Sequence, residues 1–248
     1  MEYILTQLGI VGILVFLYVT VVFFIAQWKE DNGIMDIAYG PAFVFGIGGS
    51  MVVTGTFTLL PIIITVCLIL WSLRLSGRIF RNHQGKPEDF RYAKWREEWS
   101  LRGRWYFLLR SYLQINLLQG IIILLIAIPG VLALAYPLSY AWPSLLAGLA
   151  VFAFGLAYET IADWQLDRFI ARKKAGTESA TLMTQGLFRY SRRPNYFGET
   201  MVWWGLAIMV LPLHYGWLAL ISPLLITYIV TKVTGPMLEN AFLEKYPE

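Results

Sequence analysis

Four stretches of this chain contain no Asp, Glu, Lys or Arg: residues 3–26, 37–73, 111–158 and 200–231. A helix rises about 1.5 Å per residue, so about 20 apolar residues cross a hydrocarbon core roughly 30 Å thick. Helices also satisfy their own backbone there, which open strands and loops do not. The first run fits one crossing. Preceded by Glu2 alone, it lacks the basic start and small-residue cleavage site of a secretory leader, so it reads as a retained helix. The other runs are too long for one crossing each and carry natural breaks: Thr54-Gly55-Thr56, the prolines at 129, 137 and 143, and Pro212-Leu213-His214-Tyr215-Gly216.

The expected fold is all-α, an integral membrane bundle of seven transmembrane helices forming one domain over 1–248. The spans fall at roughly 3–26, 35–54, 57–77, 107–128, 144–170, 196–212 and 216–235, with basic loops at 78–106 and 171–195. At 57% hydrophobic and 15% charged, the 248 residues are too apolar for an aqueous domain.

Lysine and arginine set the orientation, because they accumulate in cytoplasmic loops. One lies between the first and second spans, ten between the third and fourth, seven between the fifth and sixth, and two after the seventh, which accounts for all 20. The amino terminus is therefore expected outside and the carboxy terminus in the cytoplasm. The net charge of +4 reflects this topology and gives no reason to expect a nucleic-acid partner. Cys67 has no second cysteine to pair with, and His83 and His214 stand far apart, so no metal site is assigned.

The densest cluster of chemistry is Gly186-Leu187-Phe188-Arg189-Tyr190-Ser191-Arg192-Arg193-Pro194-Asn195-Tyr196-Phe197-Gly198-Glu199. Guanidinium groups such as Arg189, Arg192 and Arg193 match phosphate oxygens with forked donors. Pro194 pushes Arg193 out of helical space, so a helix is expected to start near Asn195 with backbone donors beside the arginines. The alternative is a basic anchor against anionic lipid, which by itself has no need of Asn195 or Glu199. The loop from Arg78 to Arg104 interleaves arginines, Arg91 among them, with Phe90, Tyr92, Trp95 and Trp99. It reads as a nucleotide cover that continues from Arg74, or as an interfacial amphipathic helix. Glu159, Asp163 and Asp167 recur every four residues and line one stripe of the fifth helix. They are candidates to accept from ribose hydroxyls or a nicotinamide amide, or for pairing with Arg168, Arg189 or Arg192. Asp36, with Tyr39 behind it, opens an otherwise uncharged span as either a proton donor or a helix cap.

These strings carry a resemblance. The Gly186–Glu199 string resembles the carboxy-terminal signature of membrane steroid 5α-reductases, sterol reductases and isoprenylcysteine methyltransferases. Asp36-Ile37-Ala38-Tyr39-Gly40, Trp71-Ser72-Leu73-Arg74-Leu75, Glu88-Asp89-Phe90-Arg91-Tyr92 through Trp95-Arg96-Glu97-Glu98-Trp99, and Ile161-Ala162-Asp163-Trp164-Gln165 are similar to the bacterial DUF1295 branch, described as steroid 5α-reductase-like.

That resemblance implies a multi-pass protein of the bacterial inner membrane whose cofactor, NADPH, is taken from the cytoplasm and whose substrate is a membrane lipid or steroid-like enone. Asp163 and Asn195 resemble cofactor contacts. The full expected cofactor set is Arg74, Arg91, Tyr92, Glu159, Asp163, Arg168, Arg189, Tyr190, Arg192, Arg193, Asn195, Tyr196, Glu199 and Lys232, and the expected catalytic residues are Asp36 and Tyr39. Asp36 stands where 5α-reductases carry a glutamate, and Trp71-Ser72 stands where a tyrosine is expected. Lys232 and Gly235 occupy the places of an arginine and a histidine, and Tyr246-Pro247-Glu248 the place of a basic tail. The rival readings are a methyltransferase using S-adenosylmethionine and a non-catalytic lipid-binding protein.

The confinement of lysine and arginine to alternate loops predicts that accessible tags at the two ends of the chain report opposite sides of the membrane. Two cytoplasmic ends would eliminate the seven-helix arrangement.

Overall fold

The computed structural model describes residues 1–237 and 239. Lys245 and the Tyr246-Pro247-Glu248 terminus lie outside the described residues. All regular structure among the described residues is helical. The chain divides into two compact units, Met1–Ser139 and Tyr140–Glu248.

In the first unit, α1 (Glu2–Trp28) buries one stripe, including Val11, Val15, Val19 and Val22, at the three-to-four residue spacing of a single helix face. α2 (Ile34–Thr54) lies against it, and the two share a buried polar tie in which the Ser50 hydroxyl donates to Gln7 Oε1 at 2.7 Å. α2 ends where expected. Gly55 takes the left-handed conformation (φ 66°), and its amide donates back to Val52 O while that of Thr56 donates to Met51 O. α3 (Leu59–His83) runs well past the expected limit of 77, into the basic loop.

Within the expected loop 78–106, α4 (Phe90–Ser100) is capped by Asp89, whose carboxylate accepts from the Arg91 amide at 3.0 Å. The next membrane segment is not one regular helix. α5 (Arg104–Arg110) passes through a π-helical stretch at Ser111–Leu117 into α6 (Leu118–Ile126). After a break at Ala127 comes α7 (Ile128–Ala135), buried from Pro129 onward. Of the prolines expected to mark the break, Pro137 lies in a turn, whereas Pro129 and Pro143 lie in the first turns of helices, where proline gives up only an amide that had no partner.

In the second unit, α8 (Trp142–Lys174) extends four residues beyond the expected 170, into Arg172–Lys174, where positive charge suits a helix carboxy terminus. α9 (Pro194–Val210) begins at the proline, with Arg193 outside helical space (φ −138°, ψ 64°). A 3-10 turn at Gly216–Leu220, α10 (Ile221–Tyr228) and a π segment at Ile229–Thr234 complete the described fold.

Glycines bring α8 and α9 into backbone contact. A methyl group on Gly155 would lie 2.6 Å from Val202 N, one on Gly198 2.7 Å from Glu159 N, and one on Gly205 2.5 Å from Phe152 N. Gly148 and Gly155 are seven residues apart on one helix, and Gly198 and Gly205 seven apart on the other, so both pairs fall on the shared seam.

Six described helical segments are long and apolar enough to cross a membrane: Glu2–Trp28, Ile34–Thr54, Leu59–His83, Arg104–Ile126, Trp142–Lys174 and Gly216–Met237. They mark a multi-pass membrane protein. α9, over the expected 196–212 span, has 17 residues, the lower limit of a crossing of about 17–25.

Gly205→Ala forces main chains apart and is expected to cost about 1–3 kcal/mol. Gly77→Ala, on α3 with nothing within 4 Å, should be neutral or stabilising by up to about 1 kcal/mol. Unfolding of the two variants in detergent checks this contrast.

Candidate functional site

Asp36 sits in the first turn of α2, but the cap position is Gly33, and the carboxylate is used elsewhere. Oδ1 accepts from the Tyr92 hydroxyl at 2.6 Å, Oδ2 accepts from Arg91 Nη2 at 3.0 Å, and Gln119 of α6 is a further hydrogen-bond partner. Arg91 is itself aligned by Asp89, to which its Nε donates at 2.8 Å. Asp89 therefore both starts α4 and aims the guanidinium at Asp36. Burial, and then the negative charge of Asp36, push the Tyr92 phenol well above its ordinary range, so it is held protonated as a donor. Helix capping is accordingly not the role of the Asp36 side chain.

A second polar cluster fastens the segment that carries Arg91 and Tyr92. Arg96 grips Glu88 through Nε at 2.8 Å and Nη2 at 3.0 Å. Glu88 Oε1 also accepts from the backbone amide of Asn32, immediately before α2, at 2.7 Å. Beside it, His83 Nε2 lies 2.5 Å from Asp31 Oδ2, while Asp31 Oδ1 accepts from the Gly33 amide. Glu88, Asp89, Arg96, Asp31, His83 and Gln119 were not among the sequence-derived candidates. The interleaved acids and arginines of 88–98 were the available signal. Tyr39, the other expected catalytic residue, has its ring edge-on to Phe43 and Trp71 at centroid distances of 5.3 and 6.3 Å. Arg74 is a partly buried residue of α3.

In the second unit the carboxylate stripe is present. Glu159 and Asp163 are each only 4% exposed, and Asp167 is half-buried. Arg168, on the same helix, stacks over Trp164 at 4.2 Å. The Gly186–Glu199 string is pinned to α8 by Gln165, whose Oε1 accepts from the Leu187 amide at 2.9 Å. Gly186 there is left-handed (φ 61°), a conformation that favours glycine, and a methyl group on it would lie 2.5 Å from Gln165 Oε1 and push that side-chain amide aside. Gln165 is a positioning residue that the sequence left as part of a motif.

Arg193 lies over the Tyr196 ring at 5.6 Å, its amide bonded to Ser191 Oγ. Arg192 is 88% exposed and meets Glu239 at 3.2 Å. That partner is neither Asp163 nor Glu159. Arg189 and Tyr190 are exposed, and Asn195 is half-buried in the first turn of α9. Glu199 Oε1 accepts from Trp203 Nε1 at 2.8 Å, and Lys232 is exposed on the π segment. Asp36, Arg91 and Tyr92 are thus brought together in one unit, and Glu159, Asp163, Asn195 and the signature arginines are carried on α8, α9 and the segment between them in the other.

A family model described as a protein of unknown function, DUF1295, matches residues 22–248. The chain belongs to the DUF1295 family. An uncharacterized protein of Schizosaccharomyces pombe is 27% identical over 154 residues, which is 54% of this chain and 43% of that protein. The steroid 5-alpha-reductase DET2 of Gossypium hirsutum is 40% identical over 68 residues, 27% of this chain and 25% of that one. The matches thus span less than half the length of these curated relatives. No solved structure matches the chain.

Glu88→Ala removes both Arg96 bonds and the acceptor for the Asn32 amide, and is expected to destabilise the solubilised protein by about 2–4 kcal/mol. Glu97→Ala and Glu98→Ala, on the exposed side of α4, should stay within about 0.5 kcal/mol. Denaturant midpoints of the three variants give the comparison.

Proposed function

We propose that this protein reduces an activated carbon–carbon double bond in a membrane lipid, a 3-oxo-Δ4 steroid or similar enone, using NADPH. The observation that carries the reading is the Asp36–Tyr92–Arg91 arrangement, three polar groups converging at the first turn of a span that is otherwise uncharged. Such a group is costly in an apolar setting unless it meets polar partners or a polar ligand. The similarity of a 68-residue stretch to a steroid 5-alpha-reductase supports the reaction class.

The donor set of the second unit fits a dinucleotide. Exposed guanidiniums at the start of α9 suit phosphate oxygens, and the exposed Tyr190 ring offers a stacking face. The buried carboxylates of Glu159 and Asp163 are acceptors for hydroxyl and amide donors. When bound, the dinucleotide supplies a hydride to the β-carbon of the enone.

The first unit carries the acid of the proposed reaction. Asp36 and the Tyr92 hydroxyl hold a proton beside the carbonyl oxygen and stabilise the charge that develops there as the double bond is reduced. Arg91 keeps that charge from being isolated. Tyr92, first assigned to the cofactor, joins Asp36 as a polarising group in this reading, and Gln119 orients the carboxylate. Seven crossings, with α9 as the sixth and the amino terminus outside, put the basic loops and the dinucleotide on the cytoplasmic side.

Asp36→Asn keeps the size of the side chain while removing its ability to ionise or carry an exchangeable acid proton. It should leave NADPH binding nearly intact and lower NADPH oxidation with a 3-oxo-Δ4 steroid by roughly 100-fold or more. Equal turnover by wild type and variant would remove Asp36 from the chemistry. S-adenosylhomocysteine copurifying in place of NADP(H) would replace the reductase reading with a methyl transfer.

A further inference from the structure

We infer that the turn from α4 into α5 is a binding site for the phosphate of an anionic phospholipid, formed by Arg102 and Arg110 clamped on Tyr106. Arg102 Nη1 donates to the Tyr106 hydroxyl at 3.3 Å, and Arg110 Nε donates to the same oxygen at 3.2 Å. Both guanidiniums also lie by the ring, at 5.3 and 5.6 Å from its centroid. A phenol oxygen has two lone pairs, and here both go to cations from opposite directions along the helix.

Two guanidiniums drawn to one neutral oxygen repel each other, and a carboxylate would ordinarily offset that. Residues 101–110 contain none, and among the described residues no carboxylate forms an ion pair with Arg102, Arg104 or Arg110. The neighbouring Arg91 and Arg96 are matched by Asp36, Asp89 and Glu88, so the missing anion is particular to this turn. A phosphodiester has the charge and the paired oxygens to bridge both forks.

Its surroundings identify the phosphate as a lipid's. Arg104 begins one of the segments long and apolar enough to cross a membrane, so Tyr106 and Arg110 fall in its first two turns, where a crossing would meet lipid headgroups. Leu101 and Trp105 are 86% and 84% exposed on either side of Arg102 and Arg104, and Leu109 is also exposed. Apolar and indole side chains interleaved with arginine suit the glycerol and upper acyl region, and they would be poorly placed facing water. The site is independent of the proposed reduction, since Arg102, Tyr106 and Arg110 belong to neither the expected cofactor set nor the expected catalytic pair.

The full chain in detergent, titrated with phosphatidylglycerol and read by native mass spectrometry, tests the site. Wild type is expected to bind phosphatidylglycerol at least tenfold more tightly than phosphatidylcholine. Arg102→Gln combined with Arg110→Gln should lose about tenfold or more of that affinity. Tyr106→Phe keeps both charges and the ring but removes the shared acceptor, and it should give an intermediate loss. Should the double variant fail to fold, Tyr106→Phe decides: unchanged phosphatidylglycerol affinity in it overturns the site. Equal affinity for the two lipids in wild type would also overturn it, as would displacement of phosphatidylglycerol by equimolar glycerol phosphate, which would mark a site for soluble phosphates.

Discussion

A carboxylate at the head of an apolar helix has to be answered by donors, and the answer to Asp36 organises the first unit. Two of the donors come from more than 50 residues away in sequence, on a short helix capped by Asp89. Once Arg91 and Tyr92 are committed to Asp36, the preceding turn must lie beside the α1–α2 connection, and Glu88 uses that proximity to accept from the Asn32 amide while holding Arg96. A loop that reads in sequence as a nucleotide cover or an interfacial helix is in this way fixed at three points. Each bond there is charge-assisted and part-buried, where removing one member strands its partner.

The second unit is held by a different interaction. α8 and α9 pack through glycines whose missing side chains let main chains touch, so that dispersion between closely approached backbones contributes alongside polar ties such as that of Gln165 to the Leu187 amide. The consequence for the site is rigidity at its base. Gly198, which touches Glu159, lies within the arginine-rich string itself, so the residues that begin α9 are positioned by the same contact that packs the helix. Gln165 supplies the other end of that support through the Leu187 amide.

The helical class, the break at Gly55, the start of α9 at Pro194 and the shared stripe of Glu159 and Asp163 were all legible in the sequence, because each follows from one local rule: charge exclusion, a turn-forming glycine, a proline in the first turn, or a four-residue repeat. The junction of Arg91 and Tyr92 with Asp36 was not, since periodicity says nothing about which distant donor a carboxylate will meet. Nor was α7. Its residues are apolar, like those of any crossing, and the prolines flanking it mark starts and stops equally well. The glycine seam was present as two seven-residue spacings, but its partner could be named only after the helices were seen to cross.

The π segment at Ser111–Leu117 has one more consequence. A wider turn accommodates an extra residue without breaking the helix, and each residue turns an α-helix by about 100°. Arg110 and Gln119 lie on opposite sides of this segment, so their relative bearing depends on it: one faces outward beside Tyr106, the other reaches Asp36. Shortening the segment by a single residue would restore a regular spiral and swing these two side chains out of alignment by more than a quarter turn, even though hydrophobicity and charge would be unchanged. Evolution within such a family can therefore retune what the two ends of one membrane segment address by insertion or deletion, a route invisible to any comparison of composition.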